Sequence, residues 1–411
     1  LAKHYKNNNS YSKALMYYDS VLASTNDIEI QAKSYLSKAM IHYNNDDVNN
    51  AIKDYKFVIS SFRNGLYFKQ ALMGLQSIYI GIAKVDEYID FVNDLSDYNI
   101  SESEQDSLSY NSAFIKFSEQ DYKTSKIAFK KYISQFTKGI FIADAHYYLA
   151  ITSNNLGDSF LTNNCYKYIV DNNVGQYLEK ALIHLAREFY NKNDYLLSNI
   201  YYEALKSIAS NNSLKREVSI RLMYGYENIN IAKSVEYAKD VLMMDKIDNW
   251  IFSKANILIS RLDFLNGNYV RVRKICNKVI EVDNNSDGAE AMYMLIYLTY
   301  LDDSLDLAEK MIFEMTGDYS NDYFIAKAFI LLSDIYLAKG NSFQSKATLE
   351  SVIDNYNGQD LKLVAQEKRE KILESEIIVE DNIFIKHSYI DIFEDEIDYE
   401  LLLETENDTI N

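Results

Sequence analysis

The residues best spaced for chemistry are Asp283, Asn285, Asp287 and Gly288, in the run DNNSDG. Oxygen ligands on alternate residues followed by a glycine for a sharp turn are what the opening of a calcium loop requires. The bidentate acid expected twelve positions into such a loop is missing, because Met294 stands there. Asp, Asn, Ser and Gly are also the residues an ordinary turn between helices wants. Both readings stay open, and the ordinary turn is favoured. The five histidines, His4, His42, His146, His184 and His387, never form a close pair, so no convergent metal-ligand set is evident. Cys165 and Cys276 are too far apart along the chain to suggest a disulfide and read as buried small hydrophobes. No Gly-rich phosphate loop, Gly-x-Ser-x-Gly elbow or Ser/His/Asp set is present. The chain reads as a non-enzyme with no cofactor.

The elements that would position such residues follow from a repeat. A comb of one small and two bulky residues recurs at a spacing of 36 to 38 residues. It reads Ala14-Tyr18-Val21, Ala51-Tyr55-Val58, Tyr88-Val92-Leu95, Ser125-Phe129-Tyr132 and Thr162-Tyr166-Ile169. It continues as Ser198-Tyr202-Leu205, Ser234-Ala238-Val241, Val272-Cys276-Val279, Ala308-Ile312-Met315 and Ser345-Leu349-Val352. Each comb marks the second helix, B, of a pair. About twelve residues earlier stands a position that is usually small, as in Ala39, Ala113, Ala150, Ala186, Ser260 and Ser333, where helix A can approach B closely. Turn signals such as Gly157-Asp158, Asn193-Asp194, Gly267-Asn268 and Gly340-Asn341 lie between them. Neither helix of a pair can bury its apolar face alone, so neighbouring pairs must stack.

This register resembles the tetratricopeptide repeat (TPR), whose period is about 34 residues. Leu332-Ser333-Tyr336-Gly340-Ser345-Leu349-Val352 and Leu185-Ala186-Phe189-Asn193-Ser198-Tyr202-Leu205 carry the likeness. The period here is nearer 37, and the proline that often closes a TPR is absent from every copy; the whole chain has none. The resemblance implies an all-α fold, a right-handed α-solenoid of about ten TPR-like helix pairs over 1–357. A polar capping helix is expected over 358–382. Residues 383–411 would form an acidic tail, disordered or docking. Segments 71–92, 180–205 and 324–355 look like long envelope-associated TPR proteins of the Bacteroidota, and 143–158 resembles periplasmic TPR domains linked to the Tol–Pal system. That narrower likeness implies a periplasmic or outer-membrane-associated scaffold for cell-envelope assembly or secretion. A cytoplasmic TPR regulator or co-chaperone adaptor is the alternative.

Composition bounds these readings. With 411 residues the chain is long for one compact core and suits a repeat array. It begins at Leu1 without a charged-then-apolar leader and is expected to be a fragment or a processed form. No run of about 18 apolar residues could span a membrane. The net charge of −18 argues against a nucleic-acid partner. Residues 374–411 carry 13 acids against Lys386 alone, so the tail holds most of the charge. Among the 36 tyrosines, those in comb slots read as core. Tyr35, Tyr79, Tyr147, Tyr148, Tyr293 and Tyr336 fall on A helices, which line the concave face of a TPR superhelix. Either groove lining for a protein or peptide partner or plain packing would account for them.

Overall fold

The computed structural model describes residues 1–63, 65–95 and 98–379, and the expected tail 383–411 and the end of the expected cap lie outside them. Every described regular element is an α-helix. Two compact units divide between Tyr226 and Glu227, which falls between the two helices of the seventh expected pair.

The first unit contains α1 (Ala2–Asn7) with α2 (Tyr11–Ser24), and α3 (Ile28–Asn44) with α4 (Val48–Ser61). Next come α5 (Leu66–Gly81) with α6 (Val85–Asn93), and α7 (Glu102–Ser118) with α8 (Tyr122–Gln135). It ends with α9 (Ile142–Asn155) and α10 (Ser159–Asp171), α11 (Gly175–Asn191) and α12 (Tyr195–Ile208), and then α13 (Asn212–Gly225). The second unit opens with α14 (Ile231–Leu242). Its pairs are α15 (Asn249–Leu265) with α16 (Tyr269–Ile280), α17 (Ser286–Leu301) with α18 (Leu305–Asp318), and α19 (Asp322–Ala338) with α20 (Ser342–Asn355). The last helix, α21 (Gln359–Val379), packs on α20 and α19. Within each unit the pairs pack in series, and successive A helices also touch, as α5 does α7 and α17 does α19.

The comb explains why the pairs close. All its positions are buried except Val21, which is half-buried. Burying each large comb side chain contributes about 1.5–3 kcal/mol. The small comb residue has a second use. Ser125 donates to the Ala113 carbonyl at 3.2 Å and Ser198 to the Ala186 carbonyl at 3.0 Å. Thr162 reaches the Ala150 carbonyl at 3.4 Å, and Ser345 shares a 2.8 Å bond with Ser333. Each bond crosses from B to the small A-helix position twelve residues back. The buried hydroxyl is thereby satisfied while the helices stay close.

The turn between A and B is equally regular. Residues 9, 46, 83, 120, 157, 193, 267, 303 and 340 all have positive φ, at steps of 36 or 37 residues apart from the missing one in the seventh pair. In the second pair, the Asp46 amide donates to the Tyr43 carbonyl and the Asp47 amide to that of His42. This closes the C-terminus of α3 with a Schellman motif. Asp47 is at once the N-cap of α4, its carboxylate accepting from the Asn50 amide. Asp121, Asp158, Asp194 and Asn341 repeat the device in their own turns. One residue therefore ends helix A and starts helix B.

Within 358–382 the described part folds as α21, with Leu361, Ala365 and Ile372 buried. Lys368 lies among them and places its ammonium 2.8 Å from both carboxylate oxygens of buried Asp334 on α19.

Candidate partner-binding face

The A helices α9, α11 and α13 of the first unit carry a row of polar and aromatic side chains. On α9 and α11, Tyr147 stacks on Tyr177 with centroids 3.9 Å apart. The Lys180 ammonium sits 3.2 Å from the Tyr147 hydroxyl and 5.3 Å from its ring centroid. Tyr177 donates its hydroxyl proton to Asp144, and Gln176 donates to the same oxygen. Burial, and next the bond to Asp144, pushes the Tyr177 phenol above its ordinary range.

From α11 to α13 the row continues through charge. The Arg187 guanidinium makes a two-pronged contact with Glu217, at 2.7 and 2.5 Å. The Arg187 bond holds the Glu217 carboxyl below the usual carboxylate range. The Arg221 guanidinium lies over the Tyr190 ring at 4.3 Å. Gln176, Lys180, Arg187 and Arg221 are exposed. The helical period sets this edge, because Lys180 and Arg187 are seven apart and fall on one face of α11. Cations already seated on rings can meet a carboxylate or an aromatic side chain without first being ordered.

The six tyrosines expected to share a groove do not share a face. Tyr147 points toward the next A helix, where it stacks on Tyr177, but it is only 9% exposed. Tyr148, its neighbour in sequence, turns the other way and packs on Phe114 and Phe117 of α7, each at 4.9 Å. Successive helical residues diverge by about 100°, so the two rings were bound to separate. Tyr79 and Tyr293 are 2% and 4% exposed and belong to the core, which corrects their assignment to groove lining. Tyr35 lies 4.3 Å from Phe57 of α4, its own B helix. Tyr336 donates to Glu309 of α18 at 2.9 Å and lines a 280 Å³ cleft with residues of α18 and α20. That cleft opens between B helices, so the placement of Tyr336 on an inner A-helix face is corrected as well.

The calcium-loop candidate folds as a helix start. The Asp283 carboxylate accepts the Asn285 amide at 2.7 Å, Asn285 stands at the N-cap position of α17 without a side-chain cap bond, and Gly288 lies inside that helix. A Cβ on Gly288 would run into the Asp283 carbonyl, so the glycine serves close backbone approach. Asp287 faces Lys254 at 3.8 Å, beside a network in which Arg261 holds Glu290 by two prongs and Glu227 by one. Burial, opposed by Lys254 and reinforced by Glu290 and Asp283, pushes the Asp287 carboxyl up to about 6. Among the described residues no group of three or more His, Cys, Asp or Glu could hold a metal ion. No described helix is long and apolar enough to cross a membrane. Both thiols are buried and free, and burial pushes each up to about 12.

Sequence reasoning missed Lys180, Arg187 and Arg221. Their signal is a second spacing. Tyr147 and Lys180 are 33 apart, Arg187 and Glu217 are 30 apart, and Lys368 and Asp334 are 34 apart. Side chains that meet across neighbouring pairs thus stand one to two helical turns short of a full repeat.

The class of protein that this geometry defines is an all-α array of TPR-like helix pairs. No protein-family model matches the chain, and no curated protein does. Among solved structures it is similar to a tetratricopeptide repeat protein from Parabacteroides merdae, at 13% identity and a TM-score of 0.33, over 66% of this chain and 100% of that one. It is also similar to yeast Tom70, at 13% identity and a TM-score of 0.36, over 92% and 96% of the two chains. The C-terminal part of a TPR repeat-containing protein from Cytophaga hutchinsonii gives 14%, 0.30, and 62% and 97%. The class rests on the recurring helix pair itself.

Proposed function

We propose that this chain is a non-enzymatic protein–protein interaction scaffold that holds an extended peptide or helix along the edge of α9, α11 and α13. The observation that carries the reading is the row of exposed cations already seated on Tyr147, Glu217 and Tyr190. A peptide bearing carboxylates and aromatic rings fits such a row by charge-assisted bonds and stacking. Repeat arrays present surfaces of this kind on successive pairs.

The working setting is bacterial cell-envelope assembly or secretion. Support for it is the likeness of 71–92, 143–158, 180–205 and 324–355 to envelope-associated TPR proteins. The alternative is a cytoplasmic regulator or co-chaperone adaptor that clamps a terminal carboxylate. A clamp of that type wants a basic groove, and the acidic balance of the chain counts against it.

A photo-crosslinking amino acid at Gln176, in the protein expressed in its own host, tests the site. The reading expects adducts to one recurrent partner that disappear with Lys180→Ala and Arg221→Ala. Absence of any adduct, or adducts indifferent to both substitutions, would overturn it. Fractionating the same cells tests the compartment, and recovery in the cytosol would favour the alternative.

A further inference from the structure

The B helices of the second unit differ sharply in charge. α14 has two bases and two acids, α18 one base and four acids, and α20 one base and two acids. α16 has Arg271, Arg273, Lys274 and Lys278 and no acid, in a chain of net charge −18. Its arginines are already paired, Arg271 with Asp263 and Arg273 with Asp302 and the Leu298 carbonyl. Lys274 and Lys278 are exposed and form no ion pair among the described residues. Val270, one turn before Lys274, is 87% exposed, and Leu307 at the start of α18 is 52% exposed. Arg273 reaches Asp302 in the turn that leads into α18, and Val270 and Leu307 lie in the first turns of these successive B helices. An exposed apolar residue flanked by unspent charge marks a docking surface better than either alone.

The chain carries a segment of matching chemistry. Residues 383–411 hold nine acids against Lys386, interleaved with Ile390, Ile392, Phe393, Ile397, Tyr399 and Leu401. Such a segment is too apolar to be a purely solvated tail and too acidic to bind α14, α18 or α20. Reach permits the contact. Residues 380–390 can span at most about 36–40 Å. α16 lies roughly 30 Å before α21, at about 10 Å for each of three packed layers.

We propose that segment 390–404 docks on the solvent face of α16 in the same molecule. Its acids would meet Lys274 and Lys278, and its apolar residues would cover Val270 and Leu307. The edge of α9, α11 and α13 plays no part in this, so the proposal stands apart from the partner reading.

The test places a photo-crosslinking amino acid at Val270 of the full chain and maps the adducts by mass spectrometry. Mixing isotope-labelled and unlabelled chains separates contacts within a molecule from contacts between copies. Adducts to 390–404 within one molecule are expected, with their loss at 1 M salt, where charge attraction is screened. Loss is also expected in Lys274→Glu/Lys278→Glu, and in a chain carrying Glu394→Lys, Glu396→Lys and Asp398→Lys. Combining the two sets should restore the adduct, which a misfolded variant would not do. Adducts only between copies, adducts indifferent to charge reversal, or no tail adduct would each overturn the proposal.

Discussion

At the scale of single residues, the turns show where this chain is strained. Gly157, Gly267 and Gly340 occupy the left-handed position at no steric cost, but the same slot holds Ala83 at φ 57° and Gln120 at φ 61°. A side chain there costs about 1–2 kcal/mol. Ala83→Gly or Gln120→Gly should therefore raise the melting temperature, by about 2–8 °C for a unit of this size; an unchanged or lower value would show that the turn bears no strain. Asp287 gives a pH signature. Burial pushes its carboxyl in the folded chain up to about 6, above its ordinary value of 3.8. The stability this confers is complete below about pH 4 and lost as pH rises through 6, because the folded state then carries an ill-solvated charge. Asp287→Asn should thus gain on the parent between pH 4 and 8, by up to about 3 kcal/mol. Parallel melting curves across that range would contradict the assignment.

Pairs of elements show how much the sequence discloses. The period, the buried comb and the turns were legible because each repeats within a single copy and depends on local chemistry. Tyr18, Tyr55, Tyr132, Tyr166 and Tyr202 are all core residues, as their comb slots imply. The faces of the A-helix tyrosines were not legible. Which way Tyr148 or Tyr336 turns depends on how far the next pair is shifted, and that shift appears only when partners such as Tyr147 and Lys180 are seen together. The calcium-like spacing of Asp283, Asn285 and Asp287 misleads for a related reason, since a helix start wants the same residues. The cap offers a sharp test of pairing between elements. Lys368→Ala leaves Asp334, 5% exposed, without its cation. Stranding a buried charge costs about 3–5 kcal/mol. Amides of α21 should lose hydrogen-exchange protection in this variant and recover it when Asp334→Leu is added. Undiminished protection in Lys368→Ala would show that the pair does not hold the cap.

For the whole molecule, packing and charge divide the labour. Packing between pairs consumes the apolar faces, and ion pairs one to two turns short of a repeat consume several of the bases. What is left for a partner is an edge: exposed Lys180 and Arg221 on the consecutive A helices α11 and α13, with Arg187 between them already paired to Glu217. The claim on which the account depends is that this edge binds peptide. Displayed peptide libraries selected against the full chain, followed by titration of the enriched sequence, measure it most directly. The account predicts peptides rich in acids and aromatics, with affinity falling about tenfold or more in Lys180→Ala/Arg221→Ala, a loss of at least about 1.4 kcal/mol. Binding should hold in Val270→Ser, which alters only the solvent face of α16. No enrichment, or an affinity that the Lys180 and Arg221 substitutions leave unchanged, would contradict it.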